Sequence, residues 1–432
     1  MGICLAMKKI RQQVREKLLA GKFQGAHRMK ETDFTRKRKL GFPEIFVVIL
    51  KGAKRGLHTA VKEVAESVRF EVKSYTEMAF CKARQKMNWT AFEEISVLTA
   101  ETFYDVAQRA RRWRNLRVWG IDGSKINLPT NPATLEEFGS EPYASGPRAQ
   151  GLMSCLYDAL NGVTLHAVLA RYDANERNLA AEHLRKLEEF CRKNGTNPAL
   201  ELLTMDRGYP SEALIQQALK AGFSILVRVN QRDFWKELRH LPNNDCFIKR
   251  ASMTLRVVRI PLKEPEITPS GKKVTEATFL TNLPAEEYTL EDIRELYRLR
   301  WRSEVHYGFL KSRVELENFT GLSPLCVRQD FHAAILLSNL IAASFYDASQ
   351  RVERYGVGKK WDYKPNYAET YRELRRDVFD LILADSDYAY QRVYRKLQRE
   401  IDSSLIPVRN DRHPKRGKPR QYPRFFHNHK PS

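Results

Sequence analysis

The chain has 432 residues, of which 42% are hydrophobic and 10% aromatic, and its formal net charge at pH 7 is +22. This apolar content is enough for buried cores and excludes a wholly disordered chain, and the length predicts two or three domains. The excess of positive charge indicates a polyanionic partner, either nucleic acid or an anionic membrane surface.

The spacing of the cysteines and the length of the apolar windows argue against disulfide-rich, zinc-binding, secreted and membrane-spanning proteins. The six cysteines lie far apart without a CxxC pair, which argues against a disulfide framework or a zinc site. The first residues lack the apolar stretch of a secretory signal. The apolar window at 332–346 is too short to cross a bilayer and is expected to be a buried helix. We therefore expect a cytoplasmic protein without membrane contact.

The positive charge is concentrated at the two ends of the chain. Residues 1–117 carry 26 Lys and Arg against 12 Asp and Glu, and residues 403–432 carry eight against one, whereas the middle is close to neutral. Basic runs lie at 37–40, 109–117 and 414–424. A single charge run is usually a solvated face, but this asymmetry favours nucleic-acid contact, because it commonly serves to neutralise phosphates.

The first part of the chain, 1–116, is predicted to be helical. Apolar residues recur at three- and four-residue spacing through 57–86, which is the period of an amphipathic helix. Phe42-Pro43 marks a break before another apolar helix.

From residue 117 the pattern changes to alternating strands and helices. The predicted elements in chain order are a strand from Arg117 that ends in a glycine turn, strands at 151–160 and 163–172, a helix at 175–191, a strand ending at Met205, a helix after Pro210 and a strand at 223–229. Asn161-Gly162 predicts a two-residue hairpin turn. This order predicts a mixed α/β sheet in which the hairpin supplies antiparallel members.

Further along, short alternating runs between 230 and 286 predict a small β-rich insertion. One helix is predicted from Thr289 to about Val314, and residues 321–402 are predicted to form further helices. The tail, 403–432, is proline-rich, basic and poor in apolar residues, so we expect it to be disordered without a partner.

Two aspartates follow apolar strands. Asp122 comes after 118–121 and before Gly123, and Asp206 comes after 202–205. Open α/β sheets form their sites at strand ends, because loops there expose side chains while the sheet fixes the backbone. Either aspartate alone is more often only a turn or capping residue.

One stretch of the last predicted core helix strengthens the functional interpretation. At about 100° per residue, Tyr297, Arg300, Glu304 and Lys311 fall within a stripe of roughly 60°; we call these four residues the signature stripe. The ordinary interpretation is a solvated face with an Arg300–Glu304 ion pair. However, a tyrosine, two cations and a carboxylate beside Trp301 suit a site with a DNA backbone on one side and a metal on the other.

This pattern resembles a known family. The signature stripe meets in full the pattern Y-x2-R-x3-E-x6-K of the DDE transposases of insertion-sequence family four. The Asp-Gly-Ser motif at Asp122, the Asp-Arg-Gly-Tyr motif at Asp206, residues 33–43 and the basic tail agree with the resemblance. The resemblance covers most of the chain, best over 118–320. It implies a ribonuclease H-like core, with the β-rich insertion before the helix that carries Glu304.

The resemblance implies that Asp122, Asp206 and Glu304 are the catalytic residues and metal ligands. Phosphodiester cleavage can use two divalent ions about 3.5–4 Å apart, one activating the nucleophile and one stabilising the leaving oxygen. Hard ions such as Mg²⁺ prefer carboxylate oxygens. We therefore expect two Mg²⁺ ions, for which Mn²⁺ can substitute, in a site that is fully formed only with metal and DNA.

Other side chains are expected to contact DNA. Arg300 and Lys311 would bind phosphates near the scissile bond, and Tyr297 would donate a hydrogen bond to a phosphate. Trp301 suits stacking on a base, with plain helix packing as an equal alternative. Trp235 is considered as a wedge beside a flipped nucleotide. The histidines of the predicted helices are interpreted as packing residues.

By this resemblance the chain excises a DNA element at its ends and joins the freed 3′ ends to target DNA. Its partners would be double-stranded DNA, both the terminal inverted repeats and the target, and a second copy in a synaptic homodimer at the nucleoid of a bacterium or archaeon. The alternatives are an inactive, domesticated DNA-binding relative and a ribonuclease H-like nuclease without strand transfer.

The expected organisation has six parts. They are a helical region that binds DNA ends (1–116), the first part of the ribonuclease H-like core (117–229), the β-rich insertion (230–286), the core helix with the signature stripe (287–320), a helical region for dimerisation or DNA contact (321–402) and the disordered basic tail (403–432).

Overall fold

The structure, a computed structural model, describes residues 6–36, 40–52, 76–142, 146–229, 235–239, 241, 243–267 and 273–408. Most of the basic run at 37–40, most of the predicted helix at 57–86 and most of the basic tail therefore lie outside the described residues.

The described residues before the sheet are mainly helical, as predicted. They form α1 (Ala6–Leu19), α2 (Gly21–Ala26), α3 (Phe42–Lys51), α4 (Glu77–Arg84) and α5 (Thr90–Val106). Pro43 lies in the first turn of α3, where its missing N–H removes no helical hydrogen bond. The buried faces of α1, α3 and α5 join the main hydrophobic core.

Nine of the described strands form one large mixed sheet. They are β1 (Arg117–Asn127), β2 (Ser140–Glu141), β3 (Arg148–Asp158), β4 (Thr164–Arg171), β5 (Glu201–Met205), β6 (Ser224–Val229), β7 (Asp245–Arg250), β8 (Met253–Ile267) and β9 (Lys273–Thr281). The order is β4-β3-β1-β5-β6-β9-β8-β7, with β2 also on β3. The pairs β4-β3 and β3-β1 are antiparallel, and β1-β5 and β5-β6 are parallel. The predicted mixed α/β class, with antiparallel members in the sheet, is confirmed.

The strands predicted between 230 and 286 extend this same sheet. β9 pairs antiparallel with β6, and β8 and β7 continue outward from β9. The insertion is therefore joined to the core by backbone hydrogen bonds along β6.

The remaining described helices cover the sheet or follow it. They are α6 (Pro132–Phe138), α7 (Glu176–Asn194), α8 (Glu212–Lys220), α9 (Leu290–Leu299), α10 (Trp301–Ser312), α11 (Pro324–Gly356), α12 (Tyr367–Leu383) and α13 (Asp387–Ser403), and the short strands β10 (Tyr363–Lys364) and β11 (Ile406–Pro407) pair near the end.

The prediction of one helix from Thr289 to Val314 is wrong, because the chain turns more tightly between α9 and α10. The N–H of Arg300 donates to the Tyr297 carbonyl at 3.1 Å, and the N–H of Ser303 donates to the Arg300 carbonyl at 2.9 Å. These bonds span three residues instead of four, as in a 3₁₀ turn.

The predicted hairpin between β3 and β4 is present, but the prediction of a two-residue turn is wrong. Residues 159–163 connect the strands. Oδ1 of Asp158 accepts hydrogen bonds from the N–H groups of Leu160 and Asn161 at 2.8 and 3.0 Å. The carboxylate thus stabilises a longer turn, in which Gly162 has a φ of +77°.

The expectation that β1 ends at Asp122 is also wrong. β1 pairs with antiparallel β3 as far as Asn127, whereas parallel β5 ends at Met205, opposite Ile121. Because β3 satisfies the backbone beyond Ile121, Asp122 lies inside β1 but beyond the end of β5. Asp206 directly follows β5, as expected.

Alternate residues of β1 face two different cores. Trp119 and Ile121 belong to the main core, whereas Val118 packs in a smaller core with Ile293 and Leu296 of α9. This two-residue alternation means that Asp122, like Val118, is on the side of β1 that faces α9 and α10.

Helix α11 contains the apolar window at 332–346. In the described part of the chain, α11 alone has the length and composition to cross a membrane, over Pro324–Ser349, and 83% of its apolar window is buried inside the protein. Its burial agrees with the prediction of a core helix.

Candidate functional site

The register of β1 and β5 places the two aspartates side by side. Ile121 pairs with Met205, so Asp122 and Asp206 are the next residues along the two parallel chains. In each aspartate, Oδ1 accepts a hydrogen bond from the N–H of the following residue, at 3.0 Å for Asp122 and 2.7 Å for Asp206. Both carboxylates are therefore oriented by local backbone at the edge where β5 ends.

Arg300 connects Asp122 with Glu304. Its guanidinium lies 3.4 Å from Oδ2 of Asp122 and 3.1 Å from Oε1 of Glu304, and its side chain is only 4% exposed. The same guanidinium lies 5.6 and 5.5 Å from the ring centres of Tyr297 and Trp301. Arg300 therefore holds Glu304 toward Asp122 and places a buried positive charge between the two carboxylates.

The other members of the signature stripe also reach the strand edge. The Tyr297 hydroxyl donates to Oδ1 of Asp206 at 3.4 Å, and its ring packs on β9. Nζ of Lys311 donates to Oγ of Ser124 at 2.7 Å and to the Lys125 carbonyl at 2.6 Å. The break between α9 and α10 thus leaves all four stripe residues in one region.

Burial and charge shift several pKa values in this region. Burial raises the pKa of the Asp122 carboxyl to about 6; Arg300 opposes this rise, whereas Glu304 and Asp206 add to it. Burial works against the charge of Arg300, but the surrounding tyrosine and carboxylates raise its pKa above the ordinary value. Burial lowers the pKa of Lys311. The region therefore concentrates negative charge that a cation would stabilise.

The three acidic residues offer only carboxylate oxygens, which suit a hard divalent cation. Among the described residues, however, no group of three His, Cys, Asp or Glu side chains is close enough together to hold a metal ion. The physical reason lies in Arg300, whose guanidinium takes the position between Asp122 and Glu304. Three carboxylates in direct contact without a cation would repel one another.

Gly120 lets α10 approach β1, and sequence reasoning missed its role. A Cβ atom on Gly120 would lie 2.2 Å from Oγ of Ser303. Ser303 is followed in α10 by Glu304. One helical turn later, the Tyr307 hydroxyl donates a hydrogen bond to the carbonyl of Asp122. The available signal was a glycine inside an apolar strand, which often marks close approach of another element.

The two tryptophans differ in exposure. Trp301, at the start of α10, is 45% exposed, so much of its ring faces solvent. Trp235 is only 4% exposed, and the Arg250 guanidinium lies 5.0 Å from its ring centre. Its burial contradicts the idea of Trp235 as a wedge, because the ring is already packed in the core.

The histidines of the predicted helices are packing residues. His183 and His306 are both buried, and the ring of His306 stacks on Tyr157 at 4.1 Å. Burial lowers the pKa of His306 to about 3. His306 lies on α10 but contacts Thr164 of β4 and not the acidic residues.

Comparison with known proteins gives one family and a few relatives. A family model described as a transposase DDE domain matches residues 114–340, which is more than half of the chain. InsL of insertion sequence element IS186A from Escherichia coli strain K12 and the transposase of insertion sequence element IS421 from Escherichia coli are each 35% identical to the chain over 68 residues. The match covers 16% of this chain and 17% of either relative, so the chain matches only about a sixth of their length.

Among solved structures, the piggyBac transposase in a synaptic complex with hairpin DNA aligns with a TM-score of 0.46 at 11% identity, covering 94% of this chain and 86% of that chain. The matched family model begins just before β1 and ends within α11, so it includes Asp122, Asp206 and Glu304. On the strength of this match, the chain belongs to the family of transposases with a DDE domain.

Proposed function

We propose that the chain is a transposase that cuts DNA at the ends of an insertion sequence and joins the freed 3′ ends to target DNA. The observation that carries this proposal is the convergence of Asp122, Asp206 and the signature stripe on one edge of the sheet. Carboxylates, buried cations and an exposed aromatic ring lie together there, which suits metal-assisted chemistry on a phosphate backbone. The spacing of the stripe supports membership of insertion-sequence family four.

Asp122, Asp206 and Glu304 are proposed to hold two divalent cations, Mg²⁺ or Mn²⁺, through carboxylate oxygens. Bound cations of this kind supply activation of the attacking oxygen and stabilisation of the leaving oxygen. Without a cation, Arg300 neutralises Glu304 and Asp122 through its two ion pairs, and bound cations would take over this role. The N–H groups after the two aspartates orient their carboxylates.

Arg300, Lys311 and Tyr297 are proposed to contact phosphates beside the scissile bond, and Trp301 to stack on a base. Lys311 lies against Ser124, two residues beyond Asp122, so its ammonium group is near the proposed path of the backbone. The net positive charge of residues 1–117 supports binding of terminal repeats and target DNA by the flanking regions. We further propose that the chain acts as a synaptic homodimer at the nucleoid, in the cytoplasm of a bacterium or archaeon.

A Mg²⁺-dependent end-cleavage assay tests the proposal. Asp122→Ala, Asp206→Ala and Glu304→Ala should each abolish cutting while DNA binding is retained, because binding depends mainly on the positive surface. Glu276→Ala, an exposed residue of β9 in the same sheet, is the matched control and should cut normally. Normal cutting by any of the first three variants would remove that residue from the catalytic set.

A joining assay separates the proposal from the two alternatives. With pre-cut element ends and a target duplex, a transposase forms joined products in the presence of Mg²⁺, whereas a nuclease only shortens the DNA. A domesticated binding protein would bind the ends and neither cut nor join them.

A further inference from the structure

A fourth acidic residue, Glu176, lies against Gly123, the residue that follows Asp122 in β1. It is the first residue of α7, and Asn175 caps this helix by accepting a hydrogen bond from the N–H of Arg177 at 2.9 Å. A Cβ atom on Gly123 would lie 2.5 Å from Oε1 of Glu176. The Glu176 carboxylate therefore occupies the space that a side chain at position 123 would fill, one residue after Asp122.

Glu176 reaches this edge from the opposite side of β1 to α10. Successive residues of a strand face opposite sides of the sheet, so Asp122 faces α10 while Gly123 faces α7. Burial raises the pKa of Glu176, and the charge of Asp206 adds to the rise. Glu176 and Asp206 are therefore close enough to interact electrostatically across the edge where β5 ends.

A buried hydroxyl group faces the same space. The N–H of Tyr209 donates to the carbonyl of Asp206 at 3.1 Å, so the turn after β5 carries this tyrosine. Its side chain is only 2% exposed, and its hydroxyl lies 3.0 Å from the position of a Cβ atom on Gly123. The hydroxyl is near enough to moderate the rise in the pKa of Glu176, yet it makes no hydrogen bond of good geometry with any described residue.

The surroundings of the Glu176 carboxylate differ from those of a carboxylate in an ordinary buried ion pair. Asp122 and Glu304 share the Arg300 guanidinium, whereas no lysine, arginine or histidine of the described residues forms an ion pair with Glu176. A half-buried carboxylate and a buried hydroxyl without a good partner are both costly. A cation bound at this edge, with its water molecules, would satisfy both groups.

We infer that Glu176 is a fourth carboxylate ligand of the divalent-cation site, on the Asp206 side, and that the Tyr209 hydroxyl helps to orient it. This inference rests on the proposed function, because it assigns a further ligand to the same site. Gly123 is required in this arrangement, since any side chain there would displace the carboxylate from the edge.

Direct measurement of Mn²⁺ binding to the full chain, by electron paramagnetic resonance of the free ion, tests the inference without relying on activity. Glu176→Gln keeps the size of the side chain and removes its charge, and it should weaken at least one Mn²⁺ binding step by about tenfold or more, the size of effect seen when a metal site loses a supporting group. Gly123→Ala keeps the charge but displaces the carboxylate, and it should weaken the same step.

One control variant and one orienting variant make the result specific. The control, Glu188→Gln, changes an exposed acidic residue of α7 and should bind Mn²⁺ as the wild type does. Tyr209→Phe removes the orienting hydroxyl but keeps the Glu176 carboxylate, so it should weaken Mn²⁺ binding less than Glu176→Gln does, by a few-fold. Thermal unfolding in EDTA should show Glu176→Gln to be at least as stable as the wild type, because an amide replaces a half-buried carboxylate without a cationic partner.

The outcomes separate this inference from the proposed function. Normal Mn²⁺ binding by Glu176→Gln, with binding lost in Asp206→Asn, would overturn the role of Glu176 and leave the proposed function standing. An equal loss of Mn²⁺ binding in Glu188→Gln would also overturn the role of Glu176, since the loss would then come from the general reduction in negative charge and not from a missing ligand. Normal binding by Asp206→Asn and Asp122→Asn as well would contradict the proposed function itself.

Discussion

The close approach of α10 to β1 at Gly120 gives a sharp prediction. An alanine there would place its Cβ atom 2.2 Å from Oγ of Ser303 and 3.5 Å from Cβ of Ser303. Carbon and oxygen atoms need about 3.5 Å for a favourable contact, and Ser303 is only 1% exposed, which leaves its hydroxyl little room to rotate away. We therefore expect α10 to move by about 1 Å. The moving helix carries Glu304, so the variant separates this carboxylate from Asp122 without changing either residue.

Two magnitudes follow for Gly120→Ala. Overpacking of a core typically costs about 1–3 kcal/mol, so the free energy of unfolding should fall by that amount in urea denaturation. A misplacement of about 1 Å in a catalytic arrangement can lower the rate by about 10²-fold. We therefore expect the rate of Mg²⁺-dependent end cleavage to fall about 100-fold, while DNA binding is retained.

A second substitution should rescue this variant. Ser303→Ala removes the clashing Oγ and leaves only the Cβ contact at 3.5 Å, which is ordinary packing. The Ser303 Oγ is buried without a hydrogen-bond partner among the described residues, so its loss alone should cost little. The double variant should recover most of the stability and cleavage rate. Normal cleavage by Gly120→Ala alone, or no recovery in the double variant, would refute the reasoning.

Three further predictions concern charges elsewhere in the fold and at the site. Arg84→Met should lower the free energy of unfolding by about 3–5 kcal/mol, because buried Arg84 pairs with buried Asp330 at 2.7 Å; urea denaturation measures this. The pKa of buried His306 is lowered from 6.5 to about 3, so the unfolded chain binds the proton first and stability should fall as the pH drops below 6.5; His306→Gln should flatten that slope in urea titrations at several pH values. Arg300→Gln removes the internal cation beside Glu304 and should tighten Mn²⁺ binding several-fold without DNA, as measured by electron paramagnetic resonance.

Each of these predictions has a clear contradicting result. Adding Asp330→Asn to Arg84→Met should recover part of the stability, and no recovery would argue against an uncompensated charge as the cause. An unchanged slope in His306→Gln would assign the pH dependence to other groups. Unchanged or weaker Mn²⁺ binding in Arg300→Gln would show that the guanidinium does not compete with the cation.

Local sequence patterns were enough to predict much of the fold. The alternation of strands and helices after residue 117 depends on hydrophobic periodicity and turn residues, which are local properties, and the mixed sheet followed from them. The residues Asp122 and Asp206 were identifiable because each follows an apolar run. The signature stripe was identifiable from its residue spacing, although Tyr297 lies on α9 and Glu304 and Lys311 lie on α10.

The errors arose where distant parts of the chain decide local structure. β1 continues past Asp122 because β3 supplies hydrogen bonds there, and this pairing is not visible in the β1 segment itself. The turn at Arg300 accompanies ion pairs with Asp122 and Glu304. In the same way, the positions of Gly120 against Ser303 and of Glu176 against Gly123 are contacts between elements, so no local pattern predicts them.

The central claim is that Asp122, Asp206 and Glu304 together hold divalent cations on a DNA end. Anomalous diffraction from crystals of the chain with Mn²⁺ and an element-end duplex measures this directly. We expect Mn²⁺ peaks within coordination distance, roughly 2.0–2.6 Å for hard cations, of oxygens from all three carboxylates, with Arg300 moved onto a phosphate. Mn²⁺ bound at other residues, or any one of the three carboxylates left far from every peak, would contradict the claim.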